Sequence, residues 1–455
     1  MPERSLTVGD CVTLHLDSLA AGGEAVGRRE GMAVFALWGC PGDDVEVEIT
    51  EVSRRFARGV VRSVVSPSPD RVDPPCPHFG DCGGCQLQHI SYEAQLRHKT
   101  ALVHDALARI GGLPDVEIAD TWGMDDPWRY RNRAQYHAHL AEPGDVTLGF
   151  ARHRSRDIVP LTECRLQHPL SEQVRAALLQ AMPRLAQTPA ERAALLEVET
   201  LVSFAAGRGL ATLVCDSRPP FLQSAAAALV ERVPGLSGVL AARKRGRGSR
   251  HRSPSEVLSG ESRLVEKLGG TGYRVSADSF SQVNRTQTER VIQLVREWAG
   301  VGPEDTVLDL YTGVGTFLLP LAGSARAAIG IESQQAAAAD ARANLRHWRL
   351  SNVGIHQRKV ERVLPRLIDR GEGVDIVVMD PPRKGCGPIV CALVAKLRPR
   401  RIILVSCNPA TLARDLKDLA EHGYTCRRAQ PVDMFPQTWH VETVTLCEPV
   451  RTAHT

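Results

Sequence analysis

Two short polar segments, each directly after an apolar run, carry residue types that can do covalent chemistry. DIVVMDPPRKG contains DPPR at 380–383, and RIILVSCNPATL contains SCNP at 406–409. A cysteine that follows an apolar strand is usually a buried packing residue. Asn408 and Pro409 break the strand and place the thiol at an irregular strand end, and we therefore interpret Cys407 as a nucleophile.

A carboxylate near the end of the chain is a suitable partner for this thiol. Glu442 stands in HVE at 440–442, directly before the apolar run VTLCEP, although on its own such a glutamate would be interpreted as a surface residue. Methylation of uridine at carbon 5 needs both groups, because a thiolate must add to carbon 6 and a base must later remove the carbon 5 proton. Cys407 and Glu442 therefore meet the requirements of methyl transfer to uridine.

A glycine turn upstream predicts the binding site of a methyl donor. VLDLYTGVGTFLLPLA at 307–322 contains an apolar strand, a turn at Gly313 and Gly315, and a helix, and the next strand ends at Glu332. An acidic residue about 20 positions after such a turn can contact ribose hydroxyls. Leu318 stands where the third glycine of a dinucleotide fingerprint would fall, so a ligand without phosphates, such as S-adenosylmethionine (SAM), is the better prediction.

Four cysteines form a candidate metal site. Three lie in the tight loop CPHFGDCGGC and the fourth follows in LTECRLQH: they are Cys76, Cys82, Cys85 and Cys164. Four thiolates bind either one tetrahedral zinc or a cubane iron–sulfur cluster, and the spacing alone does not choose between them. Zinc, the commoner structural metal, is the first expectation from the spacing, and packing cysteines without a metal are the weakest alternative.

The elements that must position these residues fall into three predicted domains. Residues 1–66 alternate apolar and polar positions in short runs separated by glycines, which is typical of a small β-barrel. After a proline-rich linker, residues 67–277 begin with the cysteine loop and a helix at 92–113 and continue as a mixed α+β unit. Residues 278–455 alternate helix and strand, which predicts a parallel, doubly wound α/β sheet.

Composition and charge narrow the possible partners. The chain has 455 residues, of which 43% are hydrophobic and 24% charged, and it contains no apolar run long enough to span a membrane. The net charge is only +4, but basic residues cluster at 54–58, 128–133, 152–156 and 243–252, which favours a nucleic-acid partner. The N-terminal residues show no secretory signal, so we expect a cytoplasmic protein with reduced cysteines.

Together these motifs resemble the RNA uridine-5-methyltransferases, and within them the branch that acts on 23S ribosomal RNA. The N-terminal barrel resembles the TRAM domain, an RNA-binding barrel of the oligonucleotide-binding (OB) type. The likeness extends over the cysteine pattern, the glycine turn, DPPR, SCNP and HVE. It implies an α/β fold in which a Rossmann-like SAM-dependent methyltransferase domain follows the barrel and a central α+β domain. It also implies that the helix at 92–113 packs on the catalytic domain.

The resemblance also assigns roles to residues. Cys407 is the expected nucleophile and Glu442 the expected base, and the expected SAM contacts are Gln282, Tyr311, Glu332 and Asp380. A 4Fe-4S cluster replaces zinc as the expected group on Cys76, Cys82, Cys85 and Cys164. The transfer-RNA branch usually lacks both barrel and cluster, so 23S rRNA is the expected substrate of an enzyme that we expect to be a monomer.

Two departures and three alternatives accompany this prediction. Thr316 stands where relatives often carry Asn, and Lys359 falls near a position where they often have a polar or acidic SAM contact, so the detail of cofactor binding stays open. The alternatives are the same reaction on tRNA, methylation of cytosine carbon 5, and an RNA-binding ribosome-assembly factor without methyl transfer. HVE argues against cytosine, and the intact Cys407 and Glu442 argue against an inactive assembly factor.

Overall fold

The computed structural model describes residues 6–140, 146–246, 249 and 251–450. The first part is a barrel whose strands are β1 (Cys11–Leu19), β2 (Ala25–Arg29), β3 (Met32–Leu37), β4 (Asp44–Val52) and β5 (Phe56–Ser66). The barrel is closed in the order β1-β2-β3-β5-β4. Leu16, Val34 and Val47 are fully buried in its interior, as strand alternation requires. The predicted N-terminal barrel is therefore confirmed for the described residues, with 1–5 outside them.

The central part is built on a mixed sheet. Before it come α1 (Tyr92–Arg109) and β6 (Glu117–Ile118). Its elements are β7 (Arg133–Leu140), β8 (Val146–Ala151), β9 (Ile158–Pro160), α2 (Pro169–Leu185), α3 (Pro189–Ala194), β10 (Leu195–Ser203), β11 (Arg208–Cys215), α4 (Leu222–Arg232), β12 (Leu236–Arg243) and β13 (Glu256–Gly260). The strand order is β13-β12-β11-β10-β7-β8-β9. The apolar faces of α2 and α4 share one core with this sheet.

The catalytic part begins after a hairpin of β14 (Arg263–Leu268) and β15 (Thr271–Ser276). Its elements are α5 (Arg285–Ala299), β16 (Thr306–Leu310), α6 (Leu318–Ala322), β17 (Ala327–Ile331), α7 (Gln335–His347), β18 (Val353–His356), α8 (Val360–Asp369), β19 (Ile376–Met379), α9 (Pro388–Lys396), β20 (Arg401–Ser406), α10 (Pro409–Glu421), β21 (Tyr424–Val432) and β22 (Glu442–Pro449). The strand order is β18-β17-β16-β19-β20-β22-β21-β6. Strands β16 to β20 are mutually parallel, which confirms the predicted Rossmann-like sheet.

Two stretches of chain build the catalytic part. The edge strand β6 pairs with β21 in parallel register, and α1 packs through Val103 and Leu107 into the core that contains Leu412 of α10. The hairpin is bonded to α7, where the carboxylate of Asp340 accepts hydrogen bonds from Ser276. Residues that precede the central sheet in the sequence therefore support the catalytic sheet.

Two predicted features lie partly outside this description. In the basic segment 243–252, residues 247, 248 and 250 are not described, and at the C-terminal end of the last predicted domain the same holds for 451–455. Over the described ranges, no helix has the length and hydropathy needed to cross a membrane.

Candidate active site

The DPPR and SCNP segments form neighbouring loops at one edge of the catalytic sheet, because β19 and β20 are parallel and adjacent. The side chains of Asn408 and Thr411 both donate to the carbonyl oxygen of Arg383, at 3.3 and 3.3 Å. The carboxylate of Asp415, on α10, accepts the amides of Cys386 and Gly387 at 2.7 and 3.0 Å. The two loops therefore hold each other in a fixed relation.

Cys407 lies between the end of β20 and the start of α10. Asn408 caps the helix by accepting a hydrogen bond from the Ala410 amide at 3.1 Å. Burial, together with the nearby negative charges of Glu442 and Asp380, raises the pKa of the Cys407 thiol to about 12, and Arg383 opposes the rise. The helix N-terminus also favours a thiolate, so Arg383 and the amides of α10 are the groups that can promote ionisation.

Glu442 is the first residue of β22, which pairs antiparallel with β20 in a register that places Ser406 opposite Thr443. Glu442 is only 3% exposed, so interpretation as a surface carboxylate is wrong. Burial and the charge of Asp380 raise its pKa well above the ordinary value. When ionised, the group is therefore a stronger proton acceptor than an exposed glutamate.

Gln282 and Asp380 are joined by a hydrogen bond from the Gln282 amide to the Asp380 carboxylate, at 3.0 Å. Burial raises the pKa of Asp380 to about 7, although this hydrogen bond lowers it. Gln282 precedes α5, whereas Asp380 follows β19. The structure thus brings Gln282, Asp380, Glu442 and Cys407 together from four separate parts of the chain.

Tyr311 and Glu332 flank the glycine turn. The Glu332 carboxylate accepts the amide of Gly313 at 3.0 Å and that of Gln334 at 2.6 Å, which joins the loops after β16 and β17. Tyr311 has a φ of +64° and Gly313 one of +58°. A left-handed conformation is rare for tyrosine and persists only where the surrounding structure enforces it, as at ligand sites. The predicted cofactor residues therefore line one continuous edge of the sheet.

Asp309 is a buried acid of this site that the sequence analysis missed. It lies within β16 and is fully buried, and its carboxylate accepts the hydroxyl of Thr312 at 2.5 Å. Its other oxygen, Oδ1, has no hydrogen-bond partner within the described structure. Burial raises the pKa of Asp309 to about 8. An acid inside the apolar run VLDL was the signal that could have identified it.

The four predicted metal ligands lie together, apart from Cys407. Cys76, Cys82, Cys85 and Cys164 line one cavity of about 330 Å³. Burial, with smaller contributions from the neighbouring acid Glu172 and thiol Cys82, raises the pKa of Cys164 to about 12, and burial likewise raises the pKa of Cys85. Thiols in such surroundings become good ligands only when a cation offsets their charge, so the residues fit a metal-containing group.

The sulfur atoms are spaced more widely than one zinc ion requires. Throughout the described residues, the only set of three or more possible ligand atoms within 4.8 Å of one another is Cys391, Asp415 and Asp418. No three of the four sulfurs in the cavity are therefore that close, whereas four sulfurs at about 2.3 Å from zinc lie only about 3.8 Å apart. Asp415 already accepts two loop amides, which gives that other cluster a structural role.

The parallel strands β16 to β20 and the glycine turn after β16 define a Rossmann-like, nucleotide-binding class of fold. Residues 91–449 match the family model described as tRNA (Uracil-5-)-methyltransferase, and the chain belongs to this family. It is 34% identical over 445 residues to an uncharacterized RNA methyltransferase of Halalkalibacterium halodurans, covering 96% of this chain and 97% of the relative. A relative of the same description from Thermosynechococcus vestitus is 36% identical over 443 residues, covering 96% and 98%.

A solved structure matches nearly the whole fold. It is the Pyrococcus abyssi tRNA (uracil-54, C5)-methyltransferase in complex with S-adenosyl-L-homocysteine, with a TM-score of 0.74 and 24% identity, covering 96% of this chain and 99% of that one. The predictions of a SAM-dependent RNA (uracil-5-)-methyltransferase, of SAM as cofactor and of RNA as partner are confirmed at this level. The cytosine alternative and the inactive assembly factor are set aside by the same findings.

Proposed function

We propose that this enzyme methylates uridine through a covalent adduct in which Cys407 adds to carbon 6 and Glu442 later removes the carbon 5 proton. The observation that carries the proposal is the convergence of Cys407, Glu442 and Asp380 at adjacent strand ends. There the charges of Glu442 and Asp380 raise the pKa of Cys407, and the charge of Asp380 raises the pKa of Glu442. A thiol and a buried base within one charge network are what the two half-reactions require.

The steps balance with these residues alone and one methyl donor. The Cys407 thiolate forms a bond to carbon 6, and carbon 5 takes the methyl group from the sulfonium of SAM, which leaves as S-adenosylhomocysteine. The Glu442 carboxylate then accepts the carbon 5 proton, and the bond from sulfur to carbon 6 breaks as the ring double bond returns. Arg383 is the cation that favours the Cys407 thiolate at both ends of this cycle.

Four residues are proposed to hold the methyl donor. Glu332 follows β17, the position from which an acid contacts ribose hydroxyls, and Tyr311 lies across the glycine turn from it. Gln282 and Asp380 are joined to each other beside Glu442, which suits contacts to the amino-acid part of SAM. Their charge and spacing support this assignment.

Two substitutions test the mechanism, one at the formation of the covalent adduct and the other at its breakdown. Cys407→Ala should neither methylate nor cross-link to RNA, because no adduct can form. Glu442→Gln should form the methylated adduct without resolving it, so a denaturation-resistant protein–RNA species with label from SAM should accumulate. Wild-type enzyme should be trapped in the same way by RNA that carries 5-fluorouridine at the target.

The exposed barrel thiol provides the control for the cysteine variant. Cys11→Ala should methylate and be trapped like the wild type, since Cys11 is exposed, lies on β1 of the barrel and is not among the residues assigned to the reaction. Full turnover by Glu442→Gln would remove Glu442 from the mechanism. An adduct in Cys407→Ala would overturn the assignment of the nucleophile.

We also propose that Cys76, Cys82, Cys85 and Cys164 hold a 4Fe-4S cluster. In a cubane each thiolate binds a different iron, so the sulfurs stand further apart than around one ion, which agrees with their wide spacing in the cavity. The group would cross-link the loop at 76–85 to the segment that carries Cys164. It lies outside the set of residues that we assign to methyl transfer.

Metal analysis separates the cluster from zinc. Anaerobically purified protein should be brown and contain iron and sulfide in near-equal amounts, whereas zinc is d10 and colourless. Cys164→Ser should lower the iron content and the stability, and Cys215→Ser, a buried cysteine of the same part of the fold, should keep its iron. About one zinc per chain without iron or sulfide would contradict the cluster.

The proposed substrate is 23S rRNA, with tRNA as the second candidate. The barrel and the four cysteines support rRNA through the resemblance to the ribosomal branch. The extent of the likeness to the Pyrococcus abyssi enzyme, which is named for tRNA and matches over 99% of its chain, favours tRNA. Transfer of labelled methyl to purified 23S rRNA and not to total tRNA would decide for rRNA. A cytoplasmic location and a monomeric state complete the proposal.

A further inference from the structure

The segment that leads into the proposed base has no helix or strand of its own. Residues 433–441 lie between β21 and β22, and other parts of the chain bond to them one by one. Lys99 pairs with Asp433, Asn284 donates to the Met434 carbonyl at 3.2 Å, and the Tyr130 hydroxyl donates to the Pro436 carbonyl at 3.0 Å. The conformation of this base-bearing segment therefore depends on its partners.

Gln437 makes four of these bonds, through its backbone and its side chain. It is 3% exposed and has a φ of +71°, which is unfavourable for a residue with a side chain unless its surroundings enforce it. Its backbone amide and side-chain oxygen face the amide group of Gln95, on α1, with the Gln95 Nε2 donating at 3.0 Å and the Gln95 Oε1 accepting at 3.2 Å. A paired amide contact of this kind fixes position as well as distance.

The same residue is bonded to Gln86 and Leu87, the two residues that directly follow the three-cysteine segment 76–85 and continue the cysteine loop. The carbonyl oxygen of Gln437 accepts two successive amides, those of Gln86 and Leu87, each at 3.1 Å. Gln86 directly follows Cys85 in the sequence. Gln95 Nε2 also donates to the Leu87 carbonyl at 3.0 Å. The Gln95 side chain is therefore hydrogen-bonded both to the cysteine loop and to the base-bearing segment.

From Gln437 the connection to the base is short. Trp439 packs against the apolar group that includes Leu87, and His440 lies 3.2 Å from a guanidinium nitrogen of Arg383. Glu442 follows two residues later, as the first residue of β22. A shift at Gln437 would therefore move the carboxylate relative to Cys407.

We propose that Gln437 is a positioning residue that sets the location of Glu442 for proton removal. Hydrogen bonds to Gln95 and to the cysteine loop hold Gln437 in place. The inference rests on the proposed role of Glu442 as base. A base must lie within hydrogen-bond reach of the proton it removes, and a displacement of about 1 Å can cost on the order of a hundredfold in rate. The cysteine loop thereby contributes to the proton-transfer step without touching the substrate.

Two variants test the hydrogen bonds between Gln437 and Gln95, one at each residue. Gln437→Gly removes the side chain and tolerates the positive φ, and Gln95→Glu keeps the acceptor but cannot donate. In both, turnover should fall on the order of tenfold or more, because proton removal becomes slow. The rate of trapping by 5-fluorouridine RNA, which needs Cys407 but no base, should stay within about twofold of the wild type. Methylated adduct should accumulate on ordinary RNA.

A buried glutamine of the catalytic sheet is the matched control for Gln437 and Gln95. Gln430, on β21, donates to the carbonyls of Asp120 and Pro431 and bonds neither Gln437 nor the cysteine loop in the described structure. Gln430→Leu should lower stability without adduct accumulation. The deuterium isotope effect on turnover, measured with uridine labelled at carbon 5, should rise in Gln437→Gly and Gln95→Glu and stay unchanged in Gln430→Leu.

The outcomes separate this proposal from the mechanism on which it rests. If Glu442→Gln accumulates adduct while Gln437→Gly and Gln95→Glu turn over normally, the positioning role is wrong and the base stands. If the two variants lose trapping and turnover equally, the role is merely structural and the proposal fails. Amide exchange across 433–441 should also speed up in Cys85→Ser protein, and an unchanged exchange rate would refute the part given to the cysteine loop.

Discussion

At the scale of single residues, the proposed active site is a group of buried acids around one thiol. Burial raises the pKa values of Asp309, Asp380 and Glu442, and such perturbed groups concentrate at functional sites. The sequence predicted Cys407, Glu442 and Asp380 as site residues because their types and neighbours are distinctive. It did not identify Asp309, since the state of a carboxyl group depends on burial that only the folded chain creates.

Asp309→Asn should change how stability depends on pH. The folded pKa is about 8, above the unfolded value of about 4, so the folded protein binds this proton more tightly. Its stabilising contribution is complete below about pH 4 and is lost as the pH rises towards 8. Asparagine carries no titrating proton, so between pH 5 and 8 the variant should lose less free energy of unfolding than the wild type, as measured by urea denaturation.

Asp305→Asn is the control, because the pKa of Asp305 is shifted in the opposite direction to that of Asp309. Burial alone would raise the pKa of Asp305, but hydrogen bonds from Arg400 and the Gly302 amide hold it below the ordinary value. Its contribution is present above about pH 4 and is lost as the pH falls. Between pH 5 and 8, the free energy of unfolding should therefore change with pH by the same slope in the wild type and in Asp305→Asn. Parallel slopes for Asp309→Asn as well would show that Asp309 is ionised across this range.

At the scale of elements, local pattern predicted the regular parts of the catalytic sheet. The packing of α1 on that sheet was expected only from the family resemblance, and the structure shows it. The runs around 307–322 and 401–409 combine apolar periodicity with turn residues, and the structure has strand, loop and helix there. The two-residue strand β6 carries too little pattern to be recognised. The contact of α1 with the segment after β21 depends on Lys99 and Asp433, whose pairing across the chain no local pattern shows.

Lys99→Met should be strongly destabilising. Both Lys99 and Asp433 have fully buried side chains, and removing the cation leaves an uncompensated buried carboxylate, at a cost of about 3–5 kcal/mol in the free energy of unfolding. The double variant Lys99→Met/Asp433→Asn should recover part of this loss. Chemical denaturation of the three proteins measures the difference.

The same helix offers a matched control on its exposed side. Arg97 forms an ion pair with Asp70, with side chains 60% and 32% exposed. Arg97→Met should therefore cost no more than about 1 kcal/mol. If Lys99→Met were as mild as Arg97→Met, the buried pair would not be what holds α1 to the catalytic sheet.

At the scale of the whole molecule, the barrel is docked on the cysteine loop. Asp43, in the barrel, forms a buried ion pair with Arg71 in the linker, and His89 lies 2.9 Å from the Gly39 carbonyl. The Trp38 and Phe79 rings are 4.9 Å apart. The alternation of residues predicted a barrel, but not its docking, because the docking residues come from loops whose sequences have no periodicity.

Substitutions on the barrel surface test RNA binding without disturbing this docking. Arg54 and Arg55 are exposed in the turn between β4 and β5. If they bind phosphates, Arg54→Ala/Arg55→Ala should weaken RNA binding and reduce the slope of log affinity against log salt by about 1 for each phosphate that is no longer neutralised. The dissociation constant of SAM, measured by calorimetry, should not change.

A barrel arginine that is already paired provides the comparison. Arg62 donates to the Glu48 carboxylate at 2.6 Å, so Arg62→Ala should alter RNA affinity and salt dependence less than the double variant. Equal salt slopes in the wild type and Arg54→Ala/Arg55→Ala would mean that this side of the barrel does not bind RNA.

The bonds between α1 and the base-bearing segment also bear on how the enzyme is made. Lys99 and Asp433 are 334 positions apart, and Gln95 and Gln437 are 342 positions apart. Pairings of such separation form late and slowly, because a long loop must close before they give any stabilisation. A chain still emerging from the ribosome can complete its barrel and central sheet while Glu442 has no place to dock. If the barrel binds RNA as proposed, the nascent protein acquires RNA affinity before it acquires the ability to methylate.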